Sequence, residues 1–582
     1  MWSEIKKLNW FFKERTKHYV IGILCLQIAN AVSVVLPMLI GWALDEVAQG
    51  EITAERLSLF LGAMLLVIVS DYSLSYFWSY MIFQNAVLVD RTLRGRMMNK
   101  ILRMPRTFFE RFTSGDLMAR ATSDITAVNE FMGFGIFTLS DGIGYLGVHL
   151  LAMGFLISWK LTIVSILPLP ILMVVTNYIG KYIHRLFTEQ QEAFSAMNDE
   201  VLEQVNGIRV VRSYVLEDQS VEHFEETTEK LFKKSLKTEM VSASFWPATK
   251  IFTSLSYAIA IVYGTGMVVG GEITLGQLIS FNMYLYNLIW PMFALGEFMN
   301  VAQRGATSIG RIYEVLRAKD NEHEKGTVAL DGKIESIRFE NYSFQYPTST
   351  APNLRNIDLM TKRGQTIGIV GKTGSGKSTL VKQLLKEYPI GEGELLLSGE
   401  PIAMIERSSL MERVGYVSQD NVLFSKSIRE NILMGKEDAD EEELREIIRL
   451  SDLTRDVAQF SEGLETLVGE RGVAISGGQK QRISIARALI KDPEVLLMDD
   501  SLSAVDSRTE ARIIDNIRAN RNGKTTWIVT HRLSAVSHAD EIIVLEDGAI
   551  SERGTHEELM ALGGWYEEQY KTQQMEEAGD DE

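Results

Sequence analysis

The sequence predicts a membrane α-helical domain followed by an α/β phosphate-loop domain, and three observations carry that expectation. Apolar segments of membrane-spanning length crowd the N-terminal half. The motif Gly371-Lys372-Thr373-Gly374-Ser375-Gly376-Lys377-Ser378 stands between the apolar run Thr366 to Val370 and the helix-forming stretch Thr379 to Lys386. The mean hydropathy of +0.01 averages two unlike parts, one dense in Leu, Ile, Val, Met and aromatics, the other of soluble-domain composition. A length of 582 residues exceeds one ordinary domain. The net charge of -17 excludes nucleic acid as the main partner, because binding a phosphate backbone needs a basic surface. The lone Cys25 excludes an internal disulfide and any Cys-rich metal site, and its apolar setting makes it a small packing or lipid-facing residue.

Residues 1–18 alternate Lys6, Lys7, Lys13, Arg15 and Lys17 with Trp2, Leu8, Trp10, Phe11 and Phe12, the pattern of an interfacial helix and not of a cleaved signal. A hydrocarbon core of about 30 Å takes ~20 apolar residues to cross. Six segments qualify within a membrane domain of 19–308, near 19–44, 58–82, 131–157, 161–183, 247–270 and 275–300. Asp71, Asp141 and Glu297 lie in them, where a carboxylate rarely faces lipid. Short connections alternate with two long, cation-rich ones, which places the long connections and both termini in the cytoplasm by the positive-inside tendency. The long connections keep helical periodicity, with breaks at Phe109 to Leu117 and at Asn206-Gly207 to Asp218 that would project short turns able to dock on another domain. Polar composition from 309 to 335 reads as a linker, 336–570 as the soluble domain, and 571–582 as a disordered acidic tail.

In the phosphate loop, glycines let backbone N–H groups close around phosphate oxygens at a helix N-terminus. Lys377 supplies a point charge, and Ser378 a hydroxyl where Mg²⁺ would sit. Val495 to Asp499 reads as a buried parallel strand ending in a carboxylate suited to the same Mg²⁺. Thr526 to Thr530 delivers His531 to the same sheet edge as a γ-phosphate sensor. Ser476-Gly477-Gly478-Gln479 opens a second helix N-terminus, and two copies packed head to tail would let each cap the nucleotide held by the other.

Together these motifs resemble the ATP-binding cassette (ABC) family. Gly371 to Ser378, with Thr379 beyond, resembles Walker A, Gln419 the Q-loop, Ser476 to Gln479 the signature, and Asp499 Walker B. Ser503 to Asp506 resembles the D-loop, His531 the switch histidine, Tyr346 the adenine-stacking aromatic, and Thr466 to Gly472 the exporter X-loop. Six spans with long cytoplasmic extensions ahead of one cassette resemble an exporter half-transporter. The resemblance implies antiparallel β and helical subdomains in the cassette, ATP and Mg²⁺ as ligands, and a multi-pass place in the bacterial cytoplasmic membrane with the cassette inside. It implies Tyr346, Gly371, Thr373, Gly374, Ser375, Gly376, Lys377, Ser378, Thr379 and Ser476 to Gln479 as nucleotide contacts, Ser378, Gln419 and Asp499 as metal contacts, and Asp500, His531 and Gln419 in hydrolysis.

One position departs from the family. Where Glu normally polarises the attacking water, this chain has Asp500, whose carboxylate would sit about 1.5 Å farther back, and a misplacement of about 1 Å can cost roughly 100-fold in rate. A slow Walker B beside an intact signature is similar to the smaller subunit of bacterial heterodimeric multidrug exporters. The expected partners are a second half-transporter, the bilayer and an amphipathic small molecule. Phe77, Trp78, Tyr80, Phe281, Tyr284, Tyr286, Trp290 and Met299 suit such a substrate. The alternatives are a lipid flippase, a peptide exporter, a homodimeric pump, or a nucleotide-binding membrane sensor that moves nothing. The complete set of other motifs argues against the sensor.

Overall fold

A computed structural model describes residues 1–319, 326–330, 332–469 and 475–580. The chain divides into two compact units. One comprises 1–102 and 113–318, the other 103–112 and 319–582.

The first unit is helical. Among the described residues, five helical runs are long and apolar enough to cross a membrane: Trp2–Gln49, Ala54–Ile101, Ser114–Ile166, Glu217–Val269 and Leu275–Leu316. Six spans were expected, and the difference lies in the fourth. Ser158, extended at φ -167°, turns the chain and caps the helix Trp159–Ile166; Pro168 then begins a separate helix, Pro168–Asn206. Proline lacks the N–H that would continue the ladder, so the apolar stretch 161–183 is divided between two helices. The run Leu275–Leu316 continues into the stretch expected as linker, because Ile309, Ile312 and Val315 keep helical spacing on a buried face.

Close helix contacts rest on small residues. A Cβ on Gly276 would lie 1.9 Å from the carbonyl oxygen of Gly41. Beside this contact, Asp45 accepts hydrogen bonds from Thr274 Oγ1 at 2.6 Å and the Gly276 amide at 2.7 Å, capping the helix Leu275–Asn287. By contrast Leu65, Leu66, Val69, Tyr72 and Tyr76 on Ala54–Ile101 are exposed, as a lipid-facing surface requires.

The second unit holds ten strands among its described residues: β1 Ser336–Phe344, β2 Leu354–Lys362, β3 Thr366–Val370, β4 Glu392–Leu397, β5 Glu400–Pro401, β6 Val414–Val417, β7 Val495–Asp499, β8 Thr525–Val529, β9 Glu541–Glu546 and β10 Ala549–Gly554. An antiparallel sheet runs β2-β1-β4-β5, and a six-stranded sheet runs β10-β9-β3-β8-β7-β6, parallel except at β10. The central strands are apolar on both faces because both are covered. Val495, Leu497, Trp527 and Val529 join a core with the antiparallel sheet and the helix Lys377–Leu384. Leu496, Met498 and Ile528 alternate to the opposite core, against the helices Gly477–Leu489 and Ser507–Asn520. A third core, built on Ile428, Ile432, Leu444, Ile475 and Ile483, makes a helical lobe. Of the stretch 571–582 expected as an acidic tail, residues 571–580 continue the helix Trp565–Asp580, which begins beside buried Tyr566, and 581–582 lie outside the described residues.

Candidate functional site

Parallel register sets the site. Ile369 pairs with Val529, and Val529 with Asp499, so the three strands release their chains at one sheet edge. There the phosphate loop leaves β3 through backbone that favours glycine. Gly371, Gly374 and Gly376 have φ of 140°, 84° and 105°, and a Cβ on Gly371 would strike the Leu545 carbonyl oxygen at 2.2 Å. Lys377 is buried and donates from Nζ to the carbonyls of Gly371 and Lys372, each at 2.8 Å. Burial pushes its ammonium below the ordinary lysine range, against the pull of Asp500 and Asp499. Ser375 Oγ is buried without a hydrogen-bond partner. A cradle that only glycine permits, a buried ammonium and an unsatisfied hydroxyl fit a polyphosphate.

At the next strand, Asp499 is buried and accepts a 2.8 Å hydrogen bond from Ser378 Oγ. These are the hydroxyl and carboxylate expected at Mg²⁺, and their chemistry suits a hard cation. Burial raises the Asp499 carboxyl above the ordinary aspartate range, while Ser378 and Lys382 lower it. Tyr416, at the end of β6, also approaches, its hydroxyl 3.5 Å from Asp499 Oδ2. Sequence reading passed over Tyr416; the signal was an aromatic in Val414 to Val417, the strand that ends two residues before Gln419. Asp500 has φ 47°, its amide donating to Val529 O at 2.8 Å, and its Oδ2 receives Gln419 Nε2 at 3.4 Å. Gln419 and Asp500 are thus brought together. His531 follows β8 by two residues with an exposed side chain, while its carbonyl accepts from Gln573 Nε2 at 2.7 Å.

Tyr346 is half-buried. Its hydroxyl is 3.0 Å from Thr379 Oγ1, and its ring stands edge-on to Tyr388 at 4.8 Å between centroids. Thr373 is exposed on the loop.

The signature lies on the helical lobe. Ser476 and Gln479 form a reciprocal cap, Ser476 Oγ accepting the Gln479 amide and Gln479 Oε1 the Ser476 amide. Gln479 Nε2 reaches Asp456 at 3.0 Å, a residue also bound by Arg482. Exposed Gly477 and half-buried Gly478 leave the helix end open. Gln481 ties this helix to the D-loop, donating to Ser503 Oγ at 3.2 Å and accepting the Ala504 amide at 2.9 Å; Ser503 in turn donates to the Asp500 carbonyl at 3.1 Å. Sequence spacing gave no hint of this tie. Of the X-loop, Thr466 to Gly469 are described, and Glu470, Arg471 and Gly472 lie outside the described residues.

The model for the ABC transporter transmembrane region matches residues 19–292, and that for the ABC transporter cassette matches 354–503. The probable multidrug resistance ABC transporter ATP-binding/permease protein YheI of Bacillus subtilis is 48% identical over 99% of this chain and 98% of its own. The chain is an ABC transporter. Its membrane region is fused ahead of one ATP-binding cassette, as in an exporter half-transporter. The multidrug resistance-like ATP-binding protein MdlA of Escherichia coli is 36% identical over 99% of this chain and 97% of its own. An ATP-dependent lipid A-core flippase of Syntrophus aciditrophicus is 30% identical over 98% and 94%. The structure of a bacterial Atm1-family ABC exporter with ATP bound shares the fold, with a TM-score of 0.75 and 24% identity over 97% of this chain and 98% of that one. This ABC exporter is a multi-pass membrane protein whose cassette couples ATP hydrolysis to transport.

Its membrane unit holds an open cavity of about 1040 Å³, lined by Asp141, Tyr145, Trp246, Lys250, Tyr286 and Trp290 among others. Trp290 Nε1 lies 3.2 Å from Asp141 Oδ2. Of the side chains read as suited to an amphipathic substrate, Tyr286 and Trp290 line this cavity and the others do not. Phe281 and Tyr284 are buried in helix packing, Trp78 stacks on Phe137 at 4.9 Å, and Phe77, Tyr80 and Met299 are exposed elsewhere. Of the three carboxylates only Asp141 lines it; Glu297 is exposed and Asp71 half-buried.

Proposed function

We propose that this chain is one half of a heterodimeric exporter that uses ATP to move hydrophobic or amphipathic compounds out across the bacterial cytoplasmic membrane, with its cassette and both termini inside. The observation that carries the reading is Asp500, a short carboxylate where the family places Glu, beside Ser378, Asp499 and Gln419 in good order. Because this position limits the chain's own hydrolysis, the intact signature at Ser476 to Gln479 serves the partner's site. The reading resembles the BmrC half of the BmrC/BmrD pump.

Lys377 exchanges its two carbonyls for phosphate oxygens, to which they are the weaker counter-groups. Ser378, Gln419 and Asp499 would hold Mg²⁺, which would supply neutralisation of the charge developing on the phosphates. Asp500 orients water, Tyr346 carries the adenine face, and His531 reads the γ-phosphate. The wide cavity, which sets aromatic side chains such as Tyr145, Trp246, Tyr286 and Trp290 beside the charged Asp141 and Lys250, suits amphiphiles, and it matches the multidrug names of two relatives. Lipid flipping is the second reading, favoured by the flippase among the relatives.

Inside-out vesicles carrying this chain and its partner half test the proposal. ATP should drive accumulation of an amphipathic dye and leave a fluorescent phospholipid where it is. Lipid movement without dye uptake would favour the flippase, and neither would overturn export.

A further inference from the structure

The chain that follows β8 is held from two sides. Arg532, in the middle of the stretch, donates from its amide to Thr530 Oγ1 at 3.0 Å, and its guanidinium reaches the Val505 carbonyl at 2.9 Å and the buried carboxylate of Glu510. These ties lead to the D-loop and the helix Ser507–Asn520. On the other side stands the helix Trp565–Asp580, which holds none of the residues assigned to the nucleotide. Tyr566 on this helix is fully buried in the core that also takes Leu533, and its hydroxyl lies 2.9 Å from His556 Nδ1. Tyr570 and Gln573 follow it at helical spacing on the same face. Gln573 then uses both ends of its side-chain amide on one stretch of backbone. Its Nε2 donates to the His531 carbonyl at 2.7 Å, and its Oε1 accepts the Leu533 amide at 2.9 Å.

That carbonyl and that amide belong to consecutive peptide planes, the first between His531 and Arg532 and the second between Arg532 and Leu533. One planar side-chain amide therefore fixes both at once. Among the described residues none hydrogen-bonds the exposed His531 imidazole, so the backbone alone sets where it points. We propose that Gln573 is a positioning residue: it locks the two peptide planes around Arg532 and so aims His531 at the γ-phosphate. A displacement of about 1 Å at a reacting group can cost roughly 100-fold in rate, and paired hydrogen bonds from a helix anchored by a buried tyrosine suppress such a displacement. Gln573 stands 42 residues after His531, in a polar stretch whose composition gives no sign of this role. This inference rests on the reading of His531 as the sensor of the γ-phosphate.

The test uses the full-length chain in lipid nanodiscs and compares the affinities of ADP and of a non-hydrolysable β,γ-imido analogue of ATP, each with Mg²⁺, by displacement of a fluorescent nucleotide. Only the analogue carries a γ-phosphate. His531→Ala should lower the ratio of analogue affinity to ADP affinity roughly tenfold, as loss of a hydrogen bond to a charged group does, and leave ADP affinity within about twofold. Gln573→Met keeps length and apolar contact but neither hydrogen bond. It should lower the same ratio several-fold, and added to His531→Ala it should lower the ratio no further than His531→Ala alone. Gln573→Glu keeps the acceptor for Leu533 but turns a carboxylate oxygen toward the His531 carbonyl, so it should do no better than Gln573→Met. Backbone hydrogen exchange of residues 531–533 should quicken in Gln573→Met and stay unchanged in His531→Ala. The proposal is overturned if Gln573→Met keeps the full ratio while His531→Ala loses it, or if exchange in 531–533 does not respond to Gln573→Met. Equal weakening of both nucleotides in Gln573→Met, together with a lower melting temperature, would overturn it as well, since the bonds would then only hold the helix. An unchanged ratio in His531→Ala would overturn the sensor reading itself, and the proposal with it.

Discussion

Asp499 joins two facts that pull in opposite directions. It must ionise to hold a cation, yet burial favours its protonated form. The folded domain therefore holds this proton more tightly than the unfolded chain does. Asp499 favours folding at acid pH and loses that contribution as pH rises through its raised value. Mg²⁺ competes with the same proton. The extra thermal stabilisation that Mg²⁺ adds to ATP should shrink as pH falls from neutral, at higher pH than an ordinary aspartate would require. Comparison with Asp499→Asn, which should show no Mg²⁺-dependent gain at any pH, isolates the group; a gain in both proteins that is equal at every pH would contradict the assignment. Lys377→Ala should remove measurable ATP binding, since no other buried ammonium lies in the loop, and equilibrium binding of a labelled nucleotide checks it. Most residues at this scale were legible because phosphate chemistry fixes both type and spacing. Tyr416 and Tyr388 were not, since each reaches the site through side-chain contacts that no local spacing encodes.

Among elements, legibility followed periodicity. Buried strands such as Val495–Asp499 announce themselves as apolar runs, and the helix after the phosphate loop by its motif. The membrane helices were found as apolar stretches, but proline at 168 and 170 divided one stretch between two helices. The final helix outran its apolar core, because Ile309, Ile312 and Val315 continue a buried stripe through polar neighbours that averaged composition hides. Gly276 shows what such averages miss. Its missing side chain lets two helices meet backbone to backbone, so Gly276→Val should force them apart at a cost of roughly 1–3 kcal/mol or more. A fall in thermal stability of the purified chain checks this, and unchanged stability would contradict the contact. Likewise Gln481→Ala cuts the tie between signature helix and D-loop. It should lower ATPase activity of the assembled exporter while leaving ATP affinity within about twofold, as paired rate and binding measurements would show.

At the scale of the whole molecule, two cassettes must meet for each signature to face a phosphate loop, so one chain's deficiencies matter only in an assembly. The proposed asymmetry concentrates in one methylene. On the proposed reading Asp500 stops short of the water, so that this chain would bind ATP and complete its partner's site while turning over slowly itself. Steady-state ATPase activity in lipid, measured on the chain alone, on the chain carrying Asp500→Glu, and on each together with the partner half, tests that idea most directly. Low activity alone, a rise of roughly tenfold or more with Asp500→Glu and a further rise with the partner are the expected results. Full pump-like turnover by the unmodified chain alone, with no gain from Asp500→Glu, would contradict it and make the exporter a homodimer with a competent Asp500.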